Sequence, residues 1–473
     1  MHDACGVVGI SFKDQESNNV ATSIYFALFA LQHRGQEAAG ISAHDGKTTR
    51  THRGMGLVFE VFDDAQISLL RGSIGIGHVR YPTTGGACLE NCQPFLVKYK
   101  DGGVAVAHNG NLVNSAQLRE QLELSGDIFH SSSDTEVIAH LLVRELLKND
   151  LEEAVRALMR KIVGSYSLVV LMGDTIVAIR DPLGIKPLCI GQLEGGLMVA
   201  SESAAIDTLN GTLIRDVEPG EMVVMKHGEM KCYQLARLNN PSHCVFEYIY
   251  FARPDSILEG KLIYDVRVNI GSQLAAEHPA DADTVSPVPD SGITLAVGYH
   301  QHSGINYLEC LMKNRYIGRT FIMPDQSMRE TAVRLKMNTI RPHIEGHKLV
   351  LVDDSIVRGT TSRRIVDMVR RAGAQKVHVR IGSPPIIAPC YLGIDMASRE
   401  ELIAAYKTIP GVEAVINADS LGYVSHEGLV RAIGLPKDHL CMGCLTGVYP
   451  LEIPGEKCIM AQTKLTEYLV QTA

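Results

Sequence analysis

The sequence predicts two joined halves of different fold class, an α+β half with packed sheets up to about Gln234 and then an α/β half on a parallel sheet. Three observations carry this. Short apolar runs rich in Val and Ile recur between Gly-rich turns in the first half. The polar segment Arg237-Leu238-Asn239-Asn240-Pro241-Ser242 interrupts them as a linker. Beyond it the rhythm changes to strand, helix, strand.

In chain order, Cys5 to Ile10, Ser73 to His78, Val104 to His108, Ser167 to Met172, Thr175 to Ile179 and Met222 to Met225 read as buried strands. Ile24 to Leu31 is an apolar stretch of eight residues. It falls short of the roughly 20 a bilayer requires and reads as a buried helix. Val137, Ile138, Leu141, Leu142 and Leu146 recur at helical spacing, as expected of a helix packed on a sheet. In the second half Leu349-Val350-Leu351-Val352 is an apolar strand, Ile365, Val369 and Ala372 share one helical face, and Lys376 to Ile381 is the next strand. That βαβ unit places a site at the carboxyl ends of its strands. From about Cys444 the chain has few punctuating features, and no element is assigned there.

The 473 residues carry 45 basic and 53 acidic side chains, a net charge of -8 without long runs of one sign. No basic field is available for nucleic acid or an anionic membrane, and a small polar substrate suits the balance. The start, Met1-His2-Asp3-Ala4-Cys5, lacks a basic segment followed by an apolar one, so no secretory signal is indicated and a cytoplasmic protein is expected. Eleven cysteines do not suit a small disulfide framework. Reduced thiols, a catalytic thiol or metal ligands remain.

The strongest motif runs from Val350 to Thr361. Asp353 and Asp354 leave the strand end, and a loop with Gly359, Thr360 and Thr361 opens a helix. Backbone N–H groups and hydroxyls at such a helix start form an anion cradle. The acids suit a ribose diol, or a Mg²⁺ that neutralises a pyrophosphate. A capped strand-to-helix turn is the plainer alternative for an isolated Asp-Asp. Cys5 heads an apolar strand; exposed as the first residue, it would offer a thiol and an α-amine of pKa about 8 as its base. Otherwise it is a small buried residue. Cys441-Met442-Gly443-Cys444 has the spacing of zinc and iron-sulfur sites, but one pair is half a site and also fits a redox pair or two reduced thiols.

The Asp353-Asp354-Ser355-Ile356-Val357-Arg358-Gly359-Thr360-Thr361 string resembles the motif of type I phosphoribosyltransferases, in the form of the glutamine phosphoribosylpyrophosphate amidotransferases. The resemblance covers nearly the whole chain. It is carried also, in order, by Cys5 to Ile10, Leu31 to Gln36, Gly77 to Thr83, His108 to Leu112, Ser133 to Glu136, Glu247 to Ser256 and Lys313 to Tyr316.

It implies an amino-terminal-nucleophile (αββα) glutaminase domain at 5–236 after a leader at 1–4, a linker at 237–243, and a type I phosphoribosyltransferase domain with a tail at 244–473. By the same resemblance Cys5 attacks glutamine, Asn109 and Gly110 form the oxyanion hole, and Arg80, Thr83 and Asp134 hold the substrate. Taken singly, Asn109-Gly110 is also a favoured hairpin turn, Arg80 a surface ion pair and Asp134 a helix cap.

Ammonia would pass internally to phosphoribosyl pyrophosphate, giving 5-phosphoribosylamine, glutamate and pyrophosphate, the entry to purine nucleotide synthesis. The implied ligands of that second substrate are Asp353, Asp354, Ser355, Arg358, Gly359, Thr360, Thr361 and Lys313, with Ser291, Asp353 and Asp354 near Mg²⁺. Lys313 to Arg341 would be a mobile flap. Cys244, Cys390, Cys441 and Cys444 occupy all four positions of the cluster-bearing branch, so a structural 4Fe-4S cluster is expected. The family further implies purine nucleotide inhibitors and a homotetramer or homodimer. Cys88, Cys92, Cys189, Cys232, Cys310 and Cys458 read as packing or incidental thiols. Two rivals are weighed. Another glutamine amidotransferase, such as a hexosamine or asparagine synthase, would need a different second half. A non-enzymatic nucleotide sensor would be expected to have a damaged glutaminase set.

Overall fold

The computed structural model describes residues 5–14, 20–81, 86, 88–100, 102–238, 240–314, 337–396 and 398–454. Its first half is two facing antiparallel sheets. One contains β1 (Gly6–Phe12), β2 (Ala38–His44), β3 (Thr49–Met55) and β4 (Ile74–Arg80). The other begins with β5 (Phe95–Tyr99), β6 (Gly102–Leu112), β7 (Gly164–Met172) and β8 (Thr175–Arg180). β9 (Cys189–Leu193), β10 (Gly196–Ala200) and β11 (Thr212–Asp216) return to the first sheet. β12 (Glu221–Lys226) and β13 (Glu229–Gln234) complete the second. The orders are β11-β9-β10-β1-β4-β2-β3 and β13-β12-β8-β7-β6-β5.

The apolar runs are continuous because these strands are covered on both faces. Side chains alternate along a strand, so Val7, Ile76, Ala107, Val169 and Leu171 fill the space between the sheets. Val8 and Ile10 turn instead to helix α1 (Val20–Ala30). Leu168 and Val170 turn to α2 (Ser115–Leu124), α3 (Asp134–Leu146) and α4 (Leu151–Lys161). The layers are therefore helix, sheet, sheet, helix, the αββα arrangement expected. α3 buries all five of its apolar residues anticipated from spacing.

After β13 the described residues of 235–242 form no helix or strand. β14 (His243–Cys244), α5 (Ile263–Glu277), β15 (Thr284–Pro287), α6 (Ile293–Ser303) and β16 (Asn306–Tyr307) follow. Then come β17 (Lys348–Asp353), α7 (Thr360–Arg371), β18 (Lys376–Ile381), β19 (Ser420–Tyr423) and β20 (Leu440–Cys441). β16-β15-β17-β18-β19 is a sheet whose pairings are all parallel. β14 pairs with β20, joining the start of this half to its end. No helix among the described residues is long and apolar enough to cross a membrane.

Candidate active sites

Cys5 immediately precedes β1 and is 5% exposed; its thiol donates to the Tyr81 carbonyl at 3.5 Å. Pairing of β1 with β4 sets Gly6 opposite Val79, which carries Arg80 and Tyr81 to the thiol. Burial pushes the thiol pKa up, against the opposing effects of the Tyr81 contact, Arg80 and Lys186. Arg80 is buried, not a surface residue, and its guanidinium lies 3.2 Å from Glu37 and 3.3 Å from the Gly86 carbonyl. Thr83 lies outside the described residues.

Asp134 is the first residue of α3, whose cap is Ser133, so its carboxylate is directed elsewhere. It accepts from the Leu112 N–H at 3.0 Å and lies 3.6 Å from His108 Nδ1. Burial alone would raise its carboxyl; His108 and the N–H groups of Leu112 and Thr135 outweigh that and hold it low.

Asn109 and Gly110 lie inside β6, opposite Ser167 and Tyr166, not at a hairpin turn. Gly110 has φ +152°, and a Cβ there would meet the Ser165 carbonyl oxygen at 2.1 Å, so only glycine fits. Asn109 is fully buried, and neither its amide oxygen nor its amide nitrogen has a hydrogen-bond partner among the described residues. Leaving such a group unmade costs about 1–3 kcal/mol. A donor kept in that condition is suited to an anionic oxygen that arrives only during reaction.

Spacing did not reveal what closes this site. Arg34, 1% exposed, donates to the Cys5 carbonyl at 3.0 Å, to Glu202 at 2.5 Å and to both oxygens of Glu247 at 2.9 and 2.8 Å. Glu202 also accepts from Ser256 at 2.6 Å. The second half reaches β6 and β7 directly, because Asn111 donates to the Tyr391 carbonyl and Ser165 to the Leu392 carbonyl, both at 2.9 Å. Arg34 and Glu247 both fall within motifs quoted above, which was the available signal.

The phosphoribosyl motif forms one wall of a cavity of about 470 Å³. β17 ends at Asp353, and α7 opens at Thr360 after Gly359, which has φ +75° and supplies no side-chain cap. The first N–H groups of α7 are thus uncapped by that residue, with Arg358 to Thr361 lining the cavity beside Asp353, Asp354, Ser355 and Ser291. Tyr250 and Asp395 line it too, and neither was anticipated.

Burial and the adjacent Asp354 raise the Asp353 carboxyl well above the usual range. Ser355 donates to Asp354 at 2.5 Å. Two crowded carboxylates are a donor set that a dication would relieve. Lys313 pairs with Asp290 at 2.7 Å and lines a small adjoining cavity instead. Arg358 pairs with Glu401 at 2.8 Å. Residues 315–336 of the expected flap lie outside the described residues.

The four expected cluster cysteines lie on neighbouring segments. Cys244 and Cys441 are register partners in β14 and β20. The Cys444 carbonyl accepts from Ile387 and Ala388 at 3.0 and 3.1 Å, bringing the Cys390 loop alongside. Burial pushes the Cys244 thiol up to about 12, and burial together with the other three thiols raises Cys444 well above its ordinary value. Among the described residues no group of three or more His, Cys, Asp or Glu is arranged to hold a metal ion. Cys189 and Cys310 are packed in cores, and the Cys92 thiol lies 3.5 Å from Met55 sulfur. Cys232 is exposed, and Cys458 lies outside the described residues.

Residues 87–208 match the family model of the glutamine amidotransferase domain. The chain is 54% identical over 471 residues to an amidophosphoribosyltransferase of Methanocaldococcus jannaschii, covering 96% of this chain and 99% of that one. It is 46% identical over 461 residues to that of Bacillus subtilis, with coverages of 96% and 95%. Its fold matches the B. subtilis glutamine phosphoribosylpyrophosphate amidotransferase complexed with ADP and GMP. There the TM-score is 0.88 at 44% identity, with 95% of this chain and 98% of that one covered. The structure described as the allosteric regulatory enzyme of purine biosynthesis matches with TM-score 0.89 at 45% identity, covering 95% and 97%. With identity at this level along almost its entire length, the chain belongs to the amidophosphoribosyltransferase family.

Proposed function

We propose that the protein transfers ammonia from glutamine to phosphoribosyl pyrophosphate, giving 5-phosphoribosylamine, glutamate and pyrophosphate in the first committed step of purine synthesis. The observation that carries the glutaminase half is Asn109, buried with its amide unpartnered among the described residues on the strand that also holds Gly110. Loss of residues 1–4 exposes the Cys5 amine as base. The thiolate then attacks the amide carbon, Asn109 and the Gly110 N–H hold the developing oxygen anion, ammonia leaves with the proton taken up by the amine, and water hydrolyses the resulting thioester to release glutamate and free Cys5. Arg80 and Thr83 bind the glutamine carboxylate, and Asp134 its amino group. The glutaminase would occupy 5–236, the linker 237–243 and the phosphoribosyl half 244–473.

In that second half the N–H groups and hydroxyls of Arg358 to Thr361 hold the 5′-phosphate, while Asp353 and Asp354 hold the ribose hydroxyls. Ammonia displaces pyrophosphate at C1. Lys313 adds a cation for the anionic substrate. Mg²⁺, held by Asp353 and Asp354 with Ser291 nearby, would neutralise pyrophosphate. Cys244, Cys390, Cys441 and Cys444 would hold a 4Fe-4S cluster that ties the start of the second half to its end. Purine nucleotide inhibition at the phosphoribosyl site, a homotetramer or homodimer, and a cytoplasmic location complete the reading.

Purified protein given glutamine, phosphoribosyl pyrophosphate and Mg²⁺ should release glutamate and pyrophosphate together. Glutamate release indifferent to the second substrate would overturn the reading, and an intact mass retaining residues 1–4 would overturn the role of Cys5. Iron and sulfide analysis of anaerobically purified protein tests the cluster; zinc without sulfide would reject it.

A further inference from the structure

Lys186 is fully buried in the turn between β8 and β9, and its ammonium has no hydrogen-bond partner among the described residues. Its nearest charge is Glu247 Oε1 at 3.7 Å, which Arg34 already holds at 2.8 Å. The Phe251 ring centroid lies 5.8 Å from Nζ. A Cβ built on Gly393, which has φ +89°, would meet the Gly110 carbonyl carbon at 2.9 Å and Lys186 Cε at 3.0 Å. The Lys186 side chain thus passes beside the strand of the oxyanion donors, in space that exists because residue 393 has no side chain. Burying an incompletely paired ammonium is costly, and no step described above uses it.

We propose that Lys186 is a positioning residue of the glutaminase, a water-free cation held behind the Asn109–Gly110 strand, whose field favours the thiolate of Cys5 and the anionic oxygen of its tetrahedral adduct. In a dry site such a field is far stronger than in water. The inference rests on the reading of Cys5 and Asn109 given above. The charged groups facing this region are Arg34 from the segment after α1, Arg80 from β4, Asp134 from α3, Glu37 beside Arg80, Glu202 after β10 and Glu247 after β14, with Arg253 and Arg267 acting on Glu202 from the second half, and the thiols of Cys244 and Cys441 also face Lys186. His33 and His108 flank Glu202 and Asp134. Lys186 also counters the burial that raises the Cys5 thiol.

The test compares Lys186→Met and Lys186→Arg with the parent enzyme in three measurements: glutamine-dependent rate, ammonia-dependent rate, and the pH profile of Cys5 alkylation by iodoacetamide. Lys186→Met should lower glutamine-dependent kcat about 10²-fold with little change in glutamine KM. It should move the alkylation midpoint to higher pH and spare the ammonia-dependent rate. Lys186→Arg should restore most of the loss. An unchanged kcat, a loss with the alkylation profile unmoved, a parallel loss of the ammonia-dependent rate, or an arginine variant no better than methionine would each overturn the proposal. Should Lys186→Met fail to fold, Lys186→Gln, which keeps a polar side chain without the charge, should give the same split between the two rates. Absence of that split rejects the proposal. Retention of glutamine-dependent activity by Cys5→Ala would instead reject the nucleophile reading on which the proposal rests.

Discussion

The two sites differ in how they are built. The proposed glutaminase centre is enclosed: Arg80, Asn109 and Asp134 come from three separate elements and Cys5 from the residue before β1, all 6% exposed or less, and Arg34 and Glu247 close it across the two halves. The proposed phosphoribosyl cavity instead takes most of its polar lining from the single stretch Asp353 to Ser362. The difference follows from the charge each site must manage. A transient oxygen anion needs fixed donors without water, whereas a permanently anionic substrate suits backbone N–H groups at a helix start.

Mutation of each site sharpens the contrast. The largest effect is expected from Cys5→Ala, which should reduce glutamine-dependent turnover by at least about 10³-fold and leave the ammonia-dependent rate intact. Parallel assays with the two nitrogen sources check this, and loss of both rates would mean that the sites are not separable. Asn109→Ala should lower glutamine-dependent kcat by about 10²–10³-fold with KM little changed. A rise in KM alone would assign Asn109 to substrate binding.

Asp354→Asn belongs to the other site, so it should lower both rates together, on the order of 10²-fold. Because burial and Asp354 raise the Asp353 carboxyl, Mg²⁺ binding should release protons and tighten as pH rises. Calorimetry in buffers of different ionisation enthalpy measures that release, and a buffer-independent heat would exclude it.

The smallest effect concerns stability. Burial raises the Asp181 carboxyl to about 6, against the opposing effects of Arg180 and three backbone N–H groups. A carboxyl raised in the folded state binds its proton more tightly there. Its contribution is therefore fully present below its unfolded value near 4 and is lost as pH rises through about 6. Asp181→Asn should flatten denaturant-unfolding stability across that window by roughly 3 kcal/mol; an unchanged slope would show that Asp181 is not the group responsible.

The same contrast governs what could be read without coordinates. The phosphoribosyl loop was legible because strand, acids, glycine and helix start are contiguous, and local geometry follows from local sequence. The packed strands were legible as apolar runs, and the αββα arrangement and the candidate glutaminase residues came from the resemblance. The turn reading of Asn109-Gly110 gave way to β6 because pairing with β7 supplies partners that a dipeptide preference does not describe. Arg34 stood in a quoted motif without a role, since its partners Glu202 and Glu247 are 168 and 213 residues away.

The order of residues alone therefore determined the two fold classes and the strand-to-helix turn from Asp353 to Thr361, which depend on periodicity and short-range backbone conformation. Tertiary structure decided the rest. It joined β14 to β20, bringing Cys244 opposite Cys441, and seated Tyr391 and Leu392 on β6 and β7. It also buried the cations Arg34 and Lys186 among carboxylates. Charges can be buried only against partners, and partners so distant in sequence meet only when both halves are folded against each other.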